Sequence, residues 1–444
     1  MYFLYSLLTA AGMLLLLPYW IVQGLRHNKY WSSIGQRLGF LPESLNATRE
    51  SGNGSIWIHA VSVGEVLAAL PLAQQLKLRF PDQHLVLSTT TATGQRIAQE
   101  RAGFADAVFY FPLDYRGPVR RALRAVRPAV VVILETEIWP NFLREMRRAD
   151  VPVAFVNGRI SERSFRRYRW LDGFLVRVLQ DPQLFLMQSE EDARRLRALG
   201  APEDRVRVTG NVKYDLAPPA SNPLADWLEA QLRSQERWPV VMAGSIAADE
   251  EESVLAAYDI VQRRWRRALL VLAPRKPARF DAAAHIAGEA GWRVVRRSSL
   301  RLDAPLDEAA DVILLDTVGE LAALYRLADA VFVGGSLVPV GGHNLLEPAW
   351  FARPPVFGPH MSNFREMAAE FRSADAGAEV QSGEELGKFW CKLIENPERA
   401  RRMGEAARSL VERNRGATQR SFDQIAALLG SGRGQAAAPK AGLA

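Results

Sequence analysis

The chain reads as an α/β protein with two Rossmann-like, doubly wound domains facing a cleft, preceded by an N-terminal membrane-anchor helix. Three observations predict this. Strands and helices alternate along the whole body, and the strands are apolar at every position instead of every second one, which marks parallel sheets covered on both faces. The alternation also breaks once, at a proline-rich passage, and then resumes.

The first element is the stretch Tyr2 to Gln23, which carries no charge over roughly the 20 residues that cross a bilayer. Tyr19 and Trp20 end it like interfacial anchors, and Arg26, Lys29 and Arg37 follow, which puts the far side in the cytoplasm. The positive start and small-residue cleavage site of a signal peptide are missing. Pro18 leaves open a kinked helix lying in the interface. Residues 1–24 are therefore expected to be the anchor and 25–54 a basic juxtamembrane segment with a turn-rich end at Asn46 to Gly54. The expected location is a membrane, with the body on its cytoplasmic side.

The body opens with a strand at Ser55 to Val61 and a helix at Val66 to Leu78. Further strands are expected at His84 to Ser88, Ala107 to Phe111, Ala129 to Leu134, Val153 to Asn157 and Leu184 to Met187, each followed by a helix, giving a first domain over 55–215. Pro218, Pro219 and Pro223 with Ser221 and Asn222 mark a linker, set at 216–235. Strands at Val240 to Ala243, Ala268 to Ala273, Arg293 to Val295, Asp311 to Leu315, Ala330 to Val333 and Pro355 to Phe357 then build a second domain over 236–415. Glu405 to Leu429 reads as one long helical region, and 416–444 as a terminal helix and flexible tail.

Composition narrows the chemistry. Hydrophobic residues at 48% and charged residues at 24% of 444 are those of a globular protein. A formal net charge of +7 asks for an anionic partner: nucleic acid, a membrane surface or a phosphorylated substrate. The single Cys391 rules out an intrachain disulfide. No zincin helix, P-loop, GxGxxG or GxSxG elbow is present, and neither is an Asp-x-Asp metal motif, so no metal and no cofactor are expected. His59, His343 and His360 are scattered and read as structural.

Ligands of doubly wound sheets bind at the carboxyl ends of the strands, so the loops there are the candidate sites. Glu65 follows Gly64 at the start of the first helix, where it either complements the helix dipole or takes a proton from an attacking hydroxyl. Glu135 and Glu137 follow the most apolar strand, as solvated neighbours of a helix cap or as cleft residues. Lys213 ends the first domain, either solvated or poised to stabilise negative charge. In the second domain Gly244 and Ser245, Pro274 with Arg275 and Lys276, and Gly335 with Ser336 follow strands, a glycine and arginine mixture that suits phosphate. Gly341 and Gly342 lead through His343, Asn344, Leu345 and Leu346 to Glu347, and are read as opening a helix whose free amides face an anion. The segment from Asn157 to Trp170 interleaves arginines with aromatics; it is a solvated face or a grip on lipid phosphates, and beside a membrane anchor RNA is disfavoured.

These motifs in this order, HAVSVGE, ETEIWPN, NGRISERS, QSEEDARR, VTGNVKYD, PRKPARF, DTVGELAALYRLADAVFVGGS and GGHNLLEP, resemble the 3-deoxy-D-manno-octulosonic acid (Kdo) transferases of lipopolysaccharide synthesis, from the anchor to about Arg365. The resemblance implies a GT-B glycosyltransferase fold and inverting, metal-independent transfer of Kdo from CMP-Kdo onto a lipid A precursor, a tetraacylated disaccharide phosphate. It implies Glu65 as general base, with Glu135 and Lys213 stabilising the transition state. Pro274, Arg275, Val318, Gly319, Glu320 and Asn344 through Glu347 then correspond to CMP-binding segments, joined by Gly244, Ser245 and Gly335. Arg159, Arg163 and Arg166 fall to the acceptor. The expected partners are CMP-Kdo, the lipid A precursor and the inner membrane, without nucleic acid. The chain departs from the family at Ala247 and Lys276, where histidines are usual, which leaves the donor sugar as the open point. A GT-B transferase using another CMP- or UDP-sugar, and a non-catalytic lipid-binding scaffold, are the competing readings.

Overall fold

The computed structural model describes residues 1–27, 31–42, 45, 54–216 and 222–436. The expected turns at 46–53, the heart of the proline linker at 217–221 and the tail beyond 436 lie outside the described residues. The chain forms two compact units, Met1–Leu216 with Asn414–Ala444, and Ala217–Arg413.

In the first unit, seven strands run parallel: β1 Ser55–His59, β2 His84–Thr89, β3 Ala107–Tyr110, β4 Pro128–Leu134, β5 Val153–Gly158, β6 Leu184–Met187 and β7 Val206–Val208, in the order β3-β2-β1-β4-β5-β6-β7. Alternate residues of each strand serve opposite faces. Trp57, Val131 and Ile133 pack with Phe109, Phe142 and Phe155 on one side, while Ile56, Ile58, Val130 and Val132 pack with Val66 and Leu72 of helix Val63–Arg79 on the other. Helices cover both faces, which is why the strands are apolar at every position. The strand order reverses between β1 and β4, so the loops after these two strands flank the crevice in which doubly wound sheets bind ligands.

The second unit repeats the plan with β8 Val240–Ile246, β9 Leu269–Pro274, β10 Val294–Arg296, β11 Val312–Leu314, β12 Ala330–Val333, β13 Pro355–Phe357 and β14 Ala378–Glu379, in the order β10-β11-β9-β8-β12-β13-β14, again all parallel. Its reversal falls between β8 and β12.

Three elements differ from the sequence reading. The edge strands β7 and β14, of three and two residues, are too short to show a period. The single terminal helix expected from Glu405 to Leu429 is two helices, Pro397–Asn414 and Ala417–Ala436, broken where Gly416 takes φ 90°. Both amides at the break, of Gly416 and Thr418, donate to the Asp215 carboxylate at 2.6 and 2.5 Å, and the second helix buries Ala417, Ile425 and Leu429 in the first unit. Tyr2–His27 is a helix, and its first turns dock on the first unit: the Tyr2 hydroxyl donates to Asp181 at 3.2 Å, the Tyr5 hydroxyl to Asp114 at 2.9 Å, and the Asn141 amide to Ser6 at 2.9 Å. Among the described residues no helix is long and apolar enough to cross a membrane.

Candidate active site

Glu65 sits three residues beyond Ser62, the cap of helix Val63–Arg79, and the carboxylate folds back over the loop after β1. The amide of Val61 donates to one carboxylate oxygen and the Ser62 hydroxyl to the other, each at 2.8 Å. The place at the helix start that the sequence allows is thus taken up, although Ser62 makes no side-chain cap bond of its own, and it does not settle the charge. Burial pushes the Glu65 pKa up to about 7, and the nearby carboxylates of Glu135 and Glu137 push the same way against the two hydrogen bonds. A carboxyl titrating near neutrality at a crevice is matched to proton abstraction from a hydroxyl. No side chain crowds the space beside Gly64, where even an added Cβ would meet nothing within 4 Å.

Glu135 opens the loop after β4 in the left-handed region, φ 58°, a conformation that a non-glycine residue holds only when its surroundings impose it. Its amide donates to Val156 of β5 at 2.8 Å and its carboxylate meets Lys213 Nζ at 2.8 Å. Lys213 is carried on the short helical turn Val212–Asp215. That turn is fastened by Asn157, also left-handed at φ 60°, whose side-chain oxygen accepts the Val212 amide at 3.0 Å. Glu65, Glu135 and Lys213, far apart in sequence, therefore belong to one electrostatic group at the switch point of the first sheet. In the sequence Glu137 stands out only as the neighbour of Glu135, and Asn157 only as the first residue of the arginine-rich segment. The signal for the Asn157 backbone is an asparagine at a strand end, where its side chain tolerates φ > 0.

Of the expected acceptor residues, Arg159 is joined to this group through its backbone, its amide and carbonyl both bonded to the Thr136 hydroxyl at 2.8 and 2.7 Å. Arg163 and Arg166 stand exposed on helix Glu162–Tyr168, with Arg166 paired to Glu162 at 3.0 Å. His59 is a core residue: it is fully buried, its Nδ1 lies 3.0 Å from Ser88 Oγ, and burial lowers its pKa to about 3.

In the second unit the loops after β8 and β12 are bound to each other by one carboxylate. Glu250, fully buried, accepts amides of Ala247 at 2.7 Å, Gly335 at 2.6 Å, Ser336 at 2.9 Å and Leu337 at 2.8 Å. Gly244 lacks a side chain because the Tyr325 hydroxyl occupies the space a Cβ would take. Glu347 lies near both Tyr325 and Arg275; burial raises its pKa, and Arg275 and Asn344 oppose the rise. Arg275 and Lys276 are exposed beyond β9. Glu320 is gripped by Arg297 at 2.9 Å and by the Thr317 hydroxyl, beside exposed Val318 and Gly319 at φ 96°. Burial beside Arg275 lowers the His343 pKa to about 4, so the ring is neutral at pH 7.

Two expectations change here. The helix expected after Gly341 and Gly342 is one turn, Leu346–Ala349, too short to sum peptide dipoles into an anion site of the kind a long helix offers. Leu345 and Leu346 are fully buried core side chains, so only their backbone is available to a ligand. Among the described residues no group of three or more His, Cys, Asp or Glu could hold a metal ion.

Comparison with known proteins agrees with this chemistry. The sequence model described as 3-deoxy-D-manno-octulosonic-acid transferase (kdotransferase) matches residues 32–216. The chain is 34% identical over 402 residues to the 3-deoxy-D-manno-octulosonic acid transferase of Haemophilus influenzae, covering 89% of this chain and 91% of that one. It is 35% identical over 390 residues to the Bordetella pertussis protein of the same name, covering 84% and 87%. A solved glycosyltransferase of Rickettsia africae, only 12% identical, superimposes with a TM-score of 0.56 over 85% of this chain and 99% of that one, which shows a shared GT-B-like fold of two parallel-sheet domains. With these relatives over most of its length, and a neutral-range carboxyl beside a glutamate–lysine pair at its first switch point, the chain belongs to the 3-deoxy-D-manno-octulosonic acid transferase family of glycosyltransferases.

Proposed function

We propose that the protein transfers Kdo from CMP-Kdo to a lipid A precursor, lipid IVA, at the cytoplasmic face of the inner membrane, with inversion and without a metal. The observation that carries the reading is the Glu65 carboxyl, lifted to about 7 by burial and by its acidic neighbours. In the proposed single displacement, Glu65 removes the proton of an acceptor sugar hydroxyl, whose oxygen bonds to the anomeric carbon as the bond from that carbon to the CMP phosphate oxygen breaks. The electron pair leaves with CMP, which is already stable as an anion, and the proton remains on Glu65. Lys213, paired with Glu135, adds positive charge where negative charge gathers.

CMP falls to the second unit. There Arg275 offers a guanidinium to its phosphate, Glu347 and Asn344 offer acceptors to its ribose, and the backbone of Gly244 to Ser245 and of Gly335 allows close approach. The inner-membrane location draws its support from the helix Tyr2–His27, whose described outer face is apolar.

The test is one assay with CMP-Kdo and lipid IVA, followed by mass spectrometry of the lipid. The expected product is the acceptor plus Kdo, with stoichiometric CMP. Turnover confined to UDP-sugars would assign the donor otherwise, as the Ala247 and Lys276 departures allow; CMP-Kdo binding without turnover would leave a scaffold.

A further inference from the structure

The catalytic group lies at the carboxyl ends of the first sheet, and a second basic site lies at the other end. Helix Pro140–Arg148 follows β4 and runs back toward the start of β5, so Arg147 and Arg148 end up at the opposite edge of the sheet from Glu135. There an open cavity of about 500 Å³ is lined by Arg144, Arg147, Arg148 and Arg177, with Tyr2 and Asp181 among the other lining residues. Four guanidiniums and one carboxylate line it. Asp181 is taken by Arg147 at 2.9 Å, and Arg148 pairs with Glu145 at 2.6 Å. Arg144 lies over the Tyr2 ring, 4.2 Å from its centroid, and among the described residues neither it nor the exposed Arg177 meets a carboxylate within ion-pair distance.

The rim of this pocket is apolar and unpaired. Beyond Tyr2 the first helix exposes Phe3 (80%), Leu4, Leu7, Leu8, Leu14 and Leu15 (81%), one helical face about 18 Å long. Phe174 stacks edge-on against Tyr2 at 5.2 Å, and four and three residues before it Trp170 (90% exposed) and Leu171 extend the apolar rim. An apolar face flanking a cationic hollow is the complement of a bilayer surface, with acyl chains beside a layer of phosphates. Nucleic acid would satisfy the arginines and leave the apolar face wet.

We propose that Arg144 and Arg177 form a binding site for the phosphate headgroup of an anionic phospholipid, separate from the acceptor site, and that it seats the first unit on the membrane with the face from Phe3 to Leu15 inserted. The site rests on the membrane part of the reading above and is independent of which sugar is transferred.

The experiment is flotation of the full-length protein with vesicles of phosphatidylcholine alone, or with phosphatidylglycerol added, comparing the native chain with Arg144→Gln/Arg177→Gln. A control is Arg399→Gln/Arg402→Gln in the second unit, and thermal unfolding shows that all are folded. The expected result is tighter binding to the anionic vesicles, reduced about 30-fold in the Arg144/Arg177 variant, at roughly fivefold per basic residue at such a surface, and unchanged in the control. Equal loss in the control variant would mean diffuse charge and overturn the site. Equal binding of the native protein to both vesicles would also overturn it while sparing the membrane reading; binding to neither would sink both. Loss of the anionic preference with millimolar inorganic phosphate, in the native protein alone, would support a true phosphate pocket, whereas competition only by an oligonucleotide would assign the pocket to nucleic acid.

Discussion

Glu65 shows how a residue's surroundings decide its chemistry. At an exposed helix start a glutamate titrates near 4.5, is ionised at neutral pH and serves the dipole; here burial carries it to about 7, so near neutral pH it is divided between acid and base. The base must be deprotonated to act, so kcat/KM should rise with pH up to about 7 and level off above it, falling about tenfold per unit on the acid side. Glu65→Gln should lower kcat by about 10²–10⁴-fold and remove this limb while CMP binding remains. Glu135→Gln removes a like charge that raises Glu65, so its acid limb should move to lower pH; a pH profile of the variant checks the sign, and an unmoved limb would count against the coupling. The raised pKa also bears on stability. A carboxyl whose folded pKa exceeds its unfolded one favours the fold while protonated, and that contribution fades as pH climbs from the unfolded value through about 7.

Among elements, the loops after β8 and β12 are joined through Glu250 rather than through each other. The carboxylate satisfies four amides, and Glu250→Ala would leave those amides buried and unpaired. The expected cost is about 3 kcal/mol or more of second-unit stability, with weakened CMP binding; calorimetry with and without CMP measures both. Gly244→Ala should act on the same unit through overpacking against Tyr325, at about 1–3 kcal/mol. The glycines of these loops were legible as permissive backbone. Glu250 was not, because an acid in an Asp-Glu-Glu run reads as surface, and only the return of Gly335 to Leu337 in space reveals four donors.

At the scale of the molecule, the chain closes on itself: the last helix leaves the second unit's sequence and packs on the first unit's sheet, with Asp215 holding its start. Ile425→Ala should cost about 2–5 kcal/mol of first-unit stability, because Ile425 is fully buried against that sheet. A first unit cut at Leu216 without residues 414–436 should unfold at a lower temperature than one carrying them, and equal midpoints would show the helix to be dispensable.

The sequence by itself determined the two α/β sheets, the strands and the loops that hold Glu65, Glu135, Arg275 and Glu347, because continuous apolar strands, proline breaks and glycine pairs are local signals with a local physical cause. Tertiary structure decided the rest. The strand order put the loops after β1 and β4 side by side, left-handed Asn157 brought Lys213 to Glu135, and burial set the protonation of Glu65. These depend on which distant segments meet and on how much water they exclude, and neither quantity is carried by any short stretch of chain.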